Sequence, residues 1–523
     1  MENVKRLLYN RDNRSAYALR SNRQDQEAVK YMFAYTTPER KGISSESIER
    51  YIKLLESRRI ATHDMIIMRD GEVLFEKYWE PFNESFLHRM YSVTKSVLSI
   101  AVGFAIQEGY FALDSKIADL LPDEMKKQES DENMRELTVR DMLMMSTAKS
   151  PEHWFEARHP DRVSFYFENK NEYSRPGGTI YEYDSPGSFV LGAILERRVG
   201  ESFVDYLRPR LFDKIGVSKE AHCLLCPGGH SWSDSSFLCT ARDLLLLGIF
   251  MMNGGRWNGE QLLNEEYVRE ATSKQIDNST GGLESYCTQG YGYLFWRTWD
   301  NSFFFNGMGC QLCICIPDKN MIFVYNGDNQ GNDLAKALII DNFFDMVVRT
   351  SSDSALEESK EAEASLKRYT DTLKLYAAKS ISPRDFEKRI NGKVYTLNKN
   401  PMGITRLSFS FTEGVCKMNY TNAQGDKTLL FRIDENEFGI FPEEGYSDKV
   451  GSQFAPGRYY KCAASGAWIE PQKLFIRVQA IDDYLGILNM NFGFKDENTV
   501  GIYMNKTAED FFTTYQGFAT GKA

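Results

Sequence analysis

The chain has 523 residues, 42% of them hydrophobic and 26% charged, and a net charge of −10. That length exceeds one ordinary domain, the balance is that of a folded globular protein, and an acidic surplus without any basic run excludes nucleic-acid binding. The longest apolar run, Leu244–Met252, is too short to span a membrane; the charged opening lacks the apolar core of a secretory signal; nine irregularly spaced cysteines fit reduced thiols. A cytoplasmic protein without a membrane partner is expected.

In chain order, residues 1–40 read as a polar arm. A helix capped by Ser44 or Ser45 runs to about Arg58, and Asp64–Tyr78 forms a hairpin about Asp70-Gly71. A long apolar helix follows Ser92 and stops near Glu108-Gly109. Helices and loops occupy 115–285. Strand-like runs return at Tyr291–Trp299, Ser302–Phe305, Gln311–Ile316 and Met321–Asn326, before a helix over about Asp333–Val348. A sheet built from both ends of a domain with helices inserted between is an α+β pattern. Residues 352–378, rich in Glu, Lys and Ala, read as a linker helix. From Gly392 the texture changes to short alternating runs, among them Lys393–Leu397, Leu407–Phe411, Lys427–Ile433, Lys473–Ala480, Ile487–Phe494 and Thr499–Met504. That spacing predicts a β-barrel or sandwich, a lipocalin-like barrel being one form. The expected division is an arm at 1–40, a first domain at 41–350, a linker at 351–390 and a β-rich domain at 391–523.

The chemistry concentrates at Ser92. On the apolar helix, Ser92, Lys95, Ser96 and Ser99 fall at i, i+3, i+4 and i+7, one polar stripe along a buried surface. Burying an ammonium is costly and lowers its pKa, so a lysine one turn from a helix-start serine is a device for activating a hydroxyl nucleophile. Chance alone supplies such a pair in a chain this long. Ser146-Thr-Ala-Lys149, where a helix runs into Ser150-Pro151, is read as a helix end. No G-x-S-x-G occurs, so an α/β-hydrolase triad is unsupported.

Several segments in fixed order give the serine more weight. Arg89-Met-Tyr-Ser92-Val-Thr-Lys95-Ser96, Gln107-Glu-Gly109, Leu137-Thr-Val-Arg-Asp-Met-Leu143, Pro176-Gly177 through Tyr183-Asp-Ser185-Pro-Gly187, and Thr240-Ala-Arg242-Asp243 resemble the serine β-lactamase and penicillin-binding-protein family. The nearest branch is the class C type with its related esterases and amide hydrolases. The resemblance spans about 35–350. It implies acyl transfer, with Ser92 as nucleophile and Lys95 with Tyr183 as the base. The strand Phe304-Phe305-Asn306-Gly307-Met308-Gly309-Cys310-Gln311 matches the family's third motif. The resemblance implies an oxyanion hole made by the amides of Ser92 and Met308, with Gly307 permitting close approach; the other reading of this strand is an edge with a Gly bulge. Phe305 stands where that family carries Lys or His. A substrate carboxylate then lacks its cation, and penicillins are expected to acylate more slowly than neutral esters.

Trp154, Tyr181, Ser185, Trp232, Phe305, Asn306, Gly307 and Gln311 are expected to line the substrate pocket. His222-Cys223-Leu-Leu-Cys226 through His230, with Cys239, has metal-ligand types. A single C-x-x-C is weak, and the run reads as free thiols. No metal or cofactor is expected. The leading reading is a serine hydrolase acting on a small ester or amide. The alternatives are an acyltransferase passing the acyl group to an alcohol or amine, and an inactive binding protein of the same fold. Assembly into a homo-oligomer is left open.

Overall fold

The computed structural model describes residues 33–128, 130–155, 159–168, 173–280, 283–444, 457–507 and 515–523. The expected arm lies, up to residue 32, outside them. Seven strands make the first sheet: β1 (Ala34–Tyr35), β2 (Thr62–Arg69), β3 (Glu72–Tyr78), β4 (Trp296–Thr298), β5 (Ser302–Gly307), β6 (Gln311–Ile316) and β7 (Met321–Gly327). Their order is β1-β3-β2-β7-β6-β5-β4. The hairpin near residue 70 therefore joins the strands near residue 320, with Met321 opposite Arg69 and Asn326 opposite Asp64. All pairings are antiparallel except β1 with β3.

One face of this sheet is covered by α1 (Ser45–Ser57) and the helix that starts at Ala335. Tyr51 Oη donates to Ile339 O across that layer. Helix α2 (Val93–Gln107) lies on the other face against β5 and α3 (Ser185–Val199). Beside it α4 (Ala241–Met252) packs on β6 and β7. A Cβ on Gly248 of α4 would meet Cys313 Sγ at 2.6 Å, so glycine is what lets the helix lie this close to β6. Apart from its polar stripe, helix α2 is hydrophobic around its circumference and buried from Val93 to Ala105, which is why it forms the centre of the core and not a surface layer.

The expected linker helix is shorter than 352–378 and covers Lys360–Thr370 only. Beyond it stand β8 (Val394–Leu397), β9 (Arg406–Ser410), β10 (Cys416–Asn422), β11 (Gly425–Ile433), β12 (Glu437–Ile440), β13 (Lys461–Glu470), β14 (Lys473–Ile481), β15 (Leu485–Asp496), β16 (Thr499–Thr507) and β17 (Gly517–Lys522). They follow the order β11-β10-β9-β8-β17-β16-β15-β14-β13-β12, and β11 pairs with β13 in parallel, Arg432 opposite Ser465. That pairing closes the sheet into a barrel with β12 on its rim. Alternate side chains such as Leu407, Phe409, Met418, Phe431, Trp468 and Phe492 fill the interior. The α+β sheet and the separate barrel are the two architectures the residue pattern predicts.

Just before Ser92 the chain is held by a buried polar cluster. Asn326 Nδ2 donates to Asp64 Oδ1 at 2.8 Å, and His88 Nε2 lies 3.2 Å from His63 Nδ1. Burial pushes the Asp64 carboxyl up to about 7 and His88 down to about 3, so the 3.5 Å contact between them joins two neutral groups on the acid side of neutrality. Between the ordinary carboxylate value and about 7, the folded chain holds a proton on Asp64 that the unfolded chain has released. Stability contributed here therefore falls as pH rises through that window. Asp64→Asn is expected to gain in thermal midpoint relative to wild type as pH is raised from 4 to 7. A pH-independent difference between the two melting curves contradicts this.

Candidate active site

Ser92 is the N-cap of α2 and half-buried, and Lys95 stands one turn further on with 1% of its surface exposed. Lys95 Nζ donates to Ser92 Oγ at 3.0 Å and to the backbone carbonyl of Asp234 at 2.6 Å. The buried ammonium is thus aimed at the hydroxyl by a second, fixed acceptor. The Asp234 carboxyl is itself fully buried, and among the described residues neither of its oxygens has a hydrogen-bond partner. Burial pushes it up to about 6, against the pull of Lys95 and Arg162.

Tyr183 comes to the same place from the start of α3. Its neighbour Asp184 caps that helix, accepting from Gly187 N at 2.8 Å and from the hydroxyls of Thr147 and Ser150 at 2.7 Å each. The Tyr183 ring lies over the Lys95 ammonium, 5.1 Å from Nζ to the centroid, and stacks on Trp296 at 5.6 Å. Tyr183 is itself 37% exposed. Among the described residues no hydrogen bond joins its hydroxyl to Ser92 or Lys95.

Strand β5 closes the other side. A Cβ on Gly307 would lie 2.4 Å from Met90 O, so only glycine lets this strand approach the segment leading into Ser92. The next residue, Met308, is 46% exposed at the turn into β6. Gln311 braces that turn, its Nε2 donating to Met308 O at 3.1 Å and Gly327 O at 2.6 Å. Among the described residues neither the Ser92 nor the Met308 amide has a hydrogen-bond partner. An oxyanion hole requires N–H groups without another acceptor.

The expected pocket residues separate into two groups. Tyr181 packs on Tyr291 and Trp296 beside Tyr183, its buried hydroxyl without a hydrogen-bond partner among the described residues, and Ser185 opens α3. Asn306 and Gly307 lie on the strand facing the serine. Phe305, by contrast, is fully buried, packs edge-on against Phe295 at 4.9 Å and offers no surface to a substrate. Trp154 is buried beneath Arg162, 4.1 Å from ring to guanidinium, and Trp232 is buried against Arg89 at 4.9 Å. The second serine–lysine pair is used structurally: Ser146 donates to Asp141 O, and Lys149 pairs with Asp131 at 2.9 Å. His230 pairs with Glu196, Cys223 and Cys226 are free thiols, and among the described residues no group of three or more His, Cys, Asp or Glu is placed to hold a metal.

Residue order gave no sign of several further neighbours. Asp234 contributes a backbone carbonyl, which carries no side-chain signature. Trp296 sits among other strand aromatics. Lys336 Nζ, from the first turn of α5 (Ala335–Phe343), donates to Asn306 Oδ1 at 2.6 Å and Gly307 O at 3.1 Å. The barrel also reaches this region: the Arg89 guanidinium lies 4.9 Å from the Tyr91 ring and 4.7 Å from that of Tyr484, and Leu485 N lies 3.4 Å from Tyr91 Oη. No helix among the described residues is long and apolar enough to cross a membrane.

The chain is similar to several known proteins. The Beta-lactamase family matches residues 48–340. A 6-aminohexanoate-dimer hydrolase of Paenarthrobacter ureafaciens is 23% identical over 291 residues, 52% of this chain and 74% of that protein. Among solved structures, the octameric penicillin-binding protein homologue of Pyrococcus abyssi is 12% identical with a TM-score of 0.47, covering 91% of this chain and 99% of that one. A penicillin-binding protein homologue of Caulobacter crescentus is 16% identical, also at 0.47, covering 60% and 98%. The family match takes in more than half of the chain and contains Ser92, Lys95, Tyr183 and the Gly307 strand: this chain is a hydrolase of the Beta-lactamase family.

Proposed function

We propose that the protein is a serine acyl hydrolase that forms an acyl-enzyme on Ser92 and hydrolyses a small ester or amide. The observation that carries this reading is the 3.0 Å hydrogen bond from Lys95 to Ser92 Oγ at the start of a buried helix. In acylation, Ser92 Oγ attacks the substrate carbonyl carbon while its proton passes to the Lys95–Tyr183 pair, which takes it on Tyr183 as phenolate beside the Lys95 ammonium or on Lys95 as the neutral amine. The carbonyl π-bond pair moves onto oxygen, where the amides of Ser92 and Met308 receive the negative charge. Collapse breaks the carbonyl–leaving-group bond, and the departing alcohol or amine takes the proton. Water then attacks the ester on Ser92 by the same route, giving the free acid and restoring the hydroxyl. Similarity to a 6-aminohexanoate-dimer hydrolase favours an amide among the substrates.

Turnover of p-nitrophenyl esters and short amides by wild type and Ser92→Ala tests the reading. The variant is expected to lose about four powers of ten or more in kcat. Retention of wild-type turnover overturns it.

A further inference from the structure

The Met308 amide can serve an oxyanion only if its peptide unit is held in one orientation. That unit also contains the Gly307 carbonyl and is trans, the cis peptide among the described residues being Glu80-Pro81. In a planar trans peptide the N–H and C=O point in opposite directions, so a bond that fixes one fixes the other. Strand β5 ends at Gly307, and the turn beyond it carries Gly309 and Cys310 at φ of 71° and 74°. A peptide unit beside a glycine at a strand end turns over readily unless something holds it. Lys336 supplies that hold. Its half-buried side chain reaches from α5 and donates to Gly307 O at 3.1 Å and to Asn306 Oδ1 at 2.6 Å, so acceptors on two consecutive residues of β5 fix the ammonium. The first turn of α5 contains no acidic residue to draw the charge away. A cation on the carbonyl withdraws electron density from the amide nitrogen and makes the N–H on the far side a stronger donor. Gln311 Nε2 holds the next carbonyl, Met308 O, so the peptide units on both sides of Met308 are fixed.

We propose that Lys336 is a positioning residue of the oxyanion hole: through Gly307 O it locks and polarises the Gly307–Met308 peptide, so that the Met308 N–H is presented to the carbonyl oxygen of a substrate on Ser92. The assignment rests on the serine-hydrolase reading and concerns substrates of any charge.

A thiono ester separates this role from a merely structural one. In its tetrahedral intermediate the negative charge develops on sulfur, a weak hydrogen-bond acceptor, so the oxyanion donors contribute little. On the full-length protein, kcat/KM is measured for p-nitrophenyl butyrate and for O-(p-nitrophenyl) thionobutyrate, both neutral. Lys336→Met is expected to lower the value for the oxygen ester roughly 10- to 100-fold, a weakened donor costing less than a lost one, with the loss in kcat and not in KM. The thiono ester should change by less than about threefold, because its charge makes little use of the donor. The oxygen-to-sulfur rate ratio therefore falls. Lys336→Arg, which keeps a cation on the carbonyl, should retain most of the ratio, and Lys336→Gln, which keeps a bond without the charge, should lie between. The ratio is internal to each variant, so a general loss of activity does not imitate the effect, and Lys336→Gln decides the matter if Lys336→Met fails to fold. A wild-type ratio in the variants overturns the proposal, whether both rates fall in parallel or neither falls. Hydrolysis of the oxygen ester by Ser92→Ala at the wild-type rate overturns the hydrolase reading and the proposal with it, whereas a silent Ser92→Ala beside an unchanged ratio in Lys336→Met overturns the proposal alone.

Discussion

Lys95→Met is expected to lower kcat by two to four powers of ten while leaving the barrel and the sheet folded. Removing the group that exchanges a proton with a nucleophile costs on that order, and Lys95 is the only side chain hydrogen-bonded to Ser92 Oγ among the described residues. Methionine fills much of the same volume in the apolar surroundings of α2 and removes a buried charge, so the fold has little reason to suffer. Far-ultraviolet circular dichroism and thermal midpoint should stay close to wild type while ester turnover collapses. Loss of turnover in parallel with the fold would show instead that Lys95 is a structural residue.

Gly307→Ala tests the oxyanion hole. The added methyl would sit 2.4 Å from Met90 O, a backbone atom that cannot rotate away. Strand β5 must move outward, and the Met308 amide moves with it. Loss of one oxyanion donor costs about two to three powers of ten in kcat. The effect should fall on kcat more than on KM, because the donor acts on charge that develops only in the transition state. Steady-state kinetics with a p-nitrophenyl ester read it directly, and unchanged kcat contradicts the placement of Met308.

The sequence made some parts of this arrangement plain for physical reasons. Helix α2 is apolar over fifteen residues apart from a polar stripe, and such a pattern has few resting places other than the centre of a core. The hairpin about Asp70-Gly71 and the alternating strands after Gly392 follow from turn chemistry and period-two burial. The strands at Lys461–Glu470 and Gly517–Lys522 stand out less in the sequence because Gly, Ala and Lys carry little strand signal. Within the site, Ser92, Lys95 and Gly307 could be named because each imposes a residue type on its place. Phe305 was expected at the pocket by its position in the strand, but side chains alternate along a strand and its own faces the core. Lys336 and the Asp234 carbonyl were invisible because their roles come from tertiary contact between distant segments, and nothing in their local spacing distinguishes them.

The central claim is that Ser92 carries the acyl group. Intact-protein mass spectrometry after exposure to a fluorophosphonate, followed by peptide mapping, measures this most directly. The account predicts one adduct per chain, on the peptide containing Ser92, its formation slowed in Lys95→Met and absent in Ser92→Ala. An adduct on another residue such as Ser146, or labelling of Ser92→Ala at the wild-type rate, would contradict it.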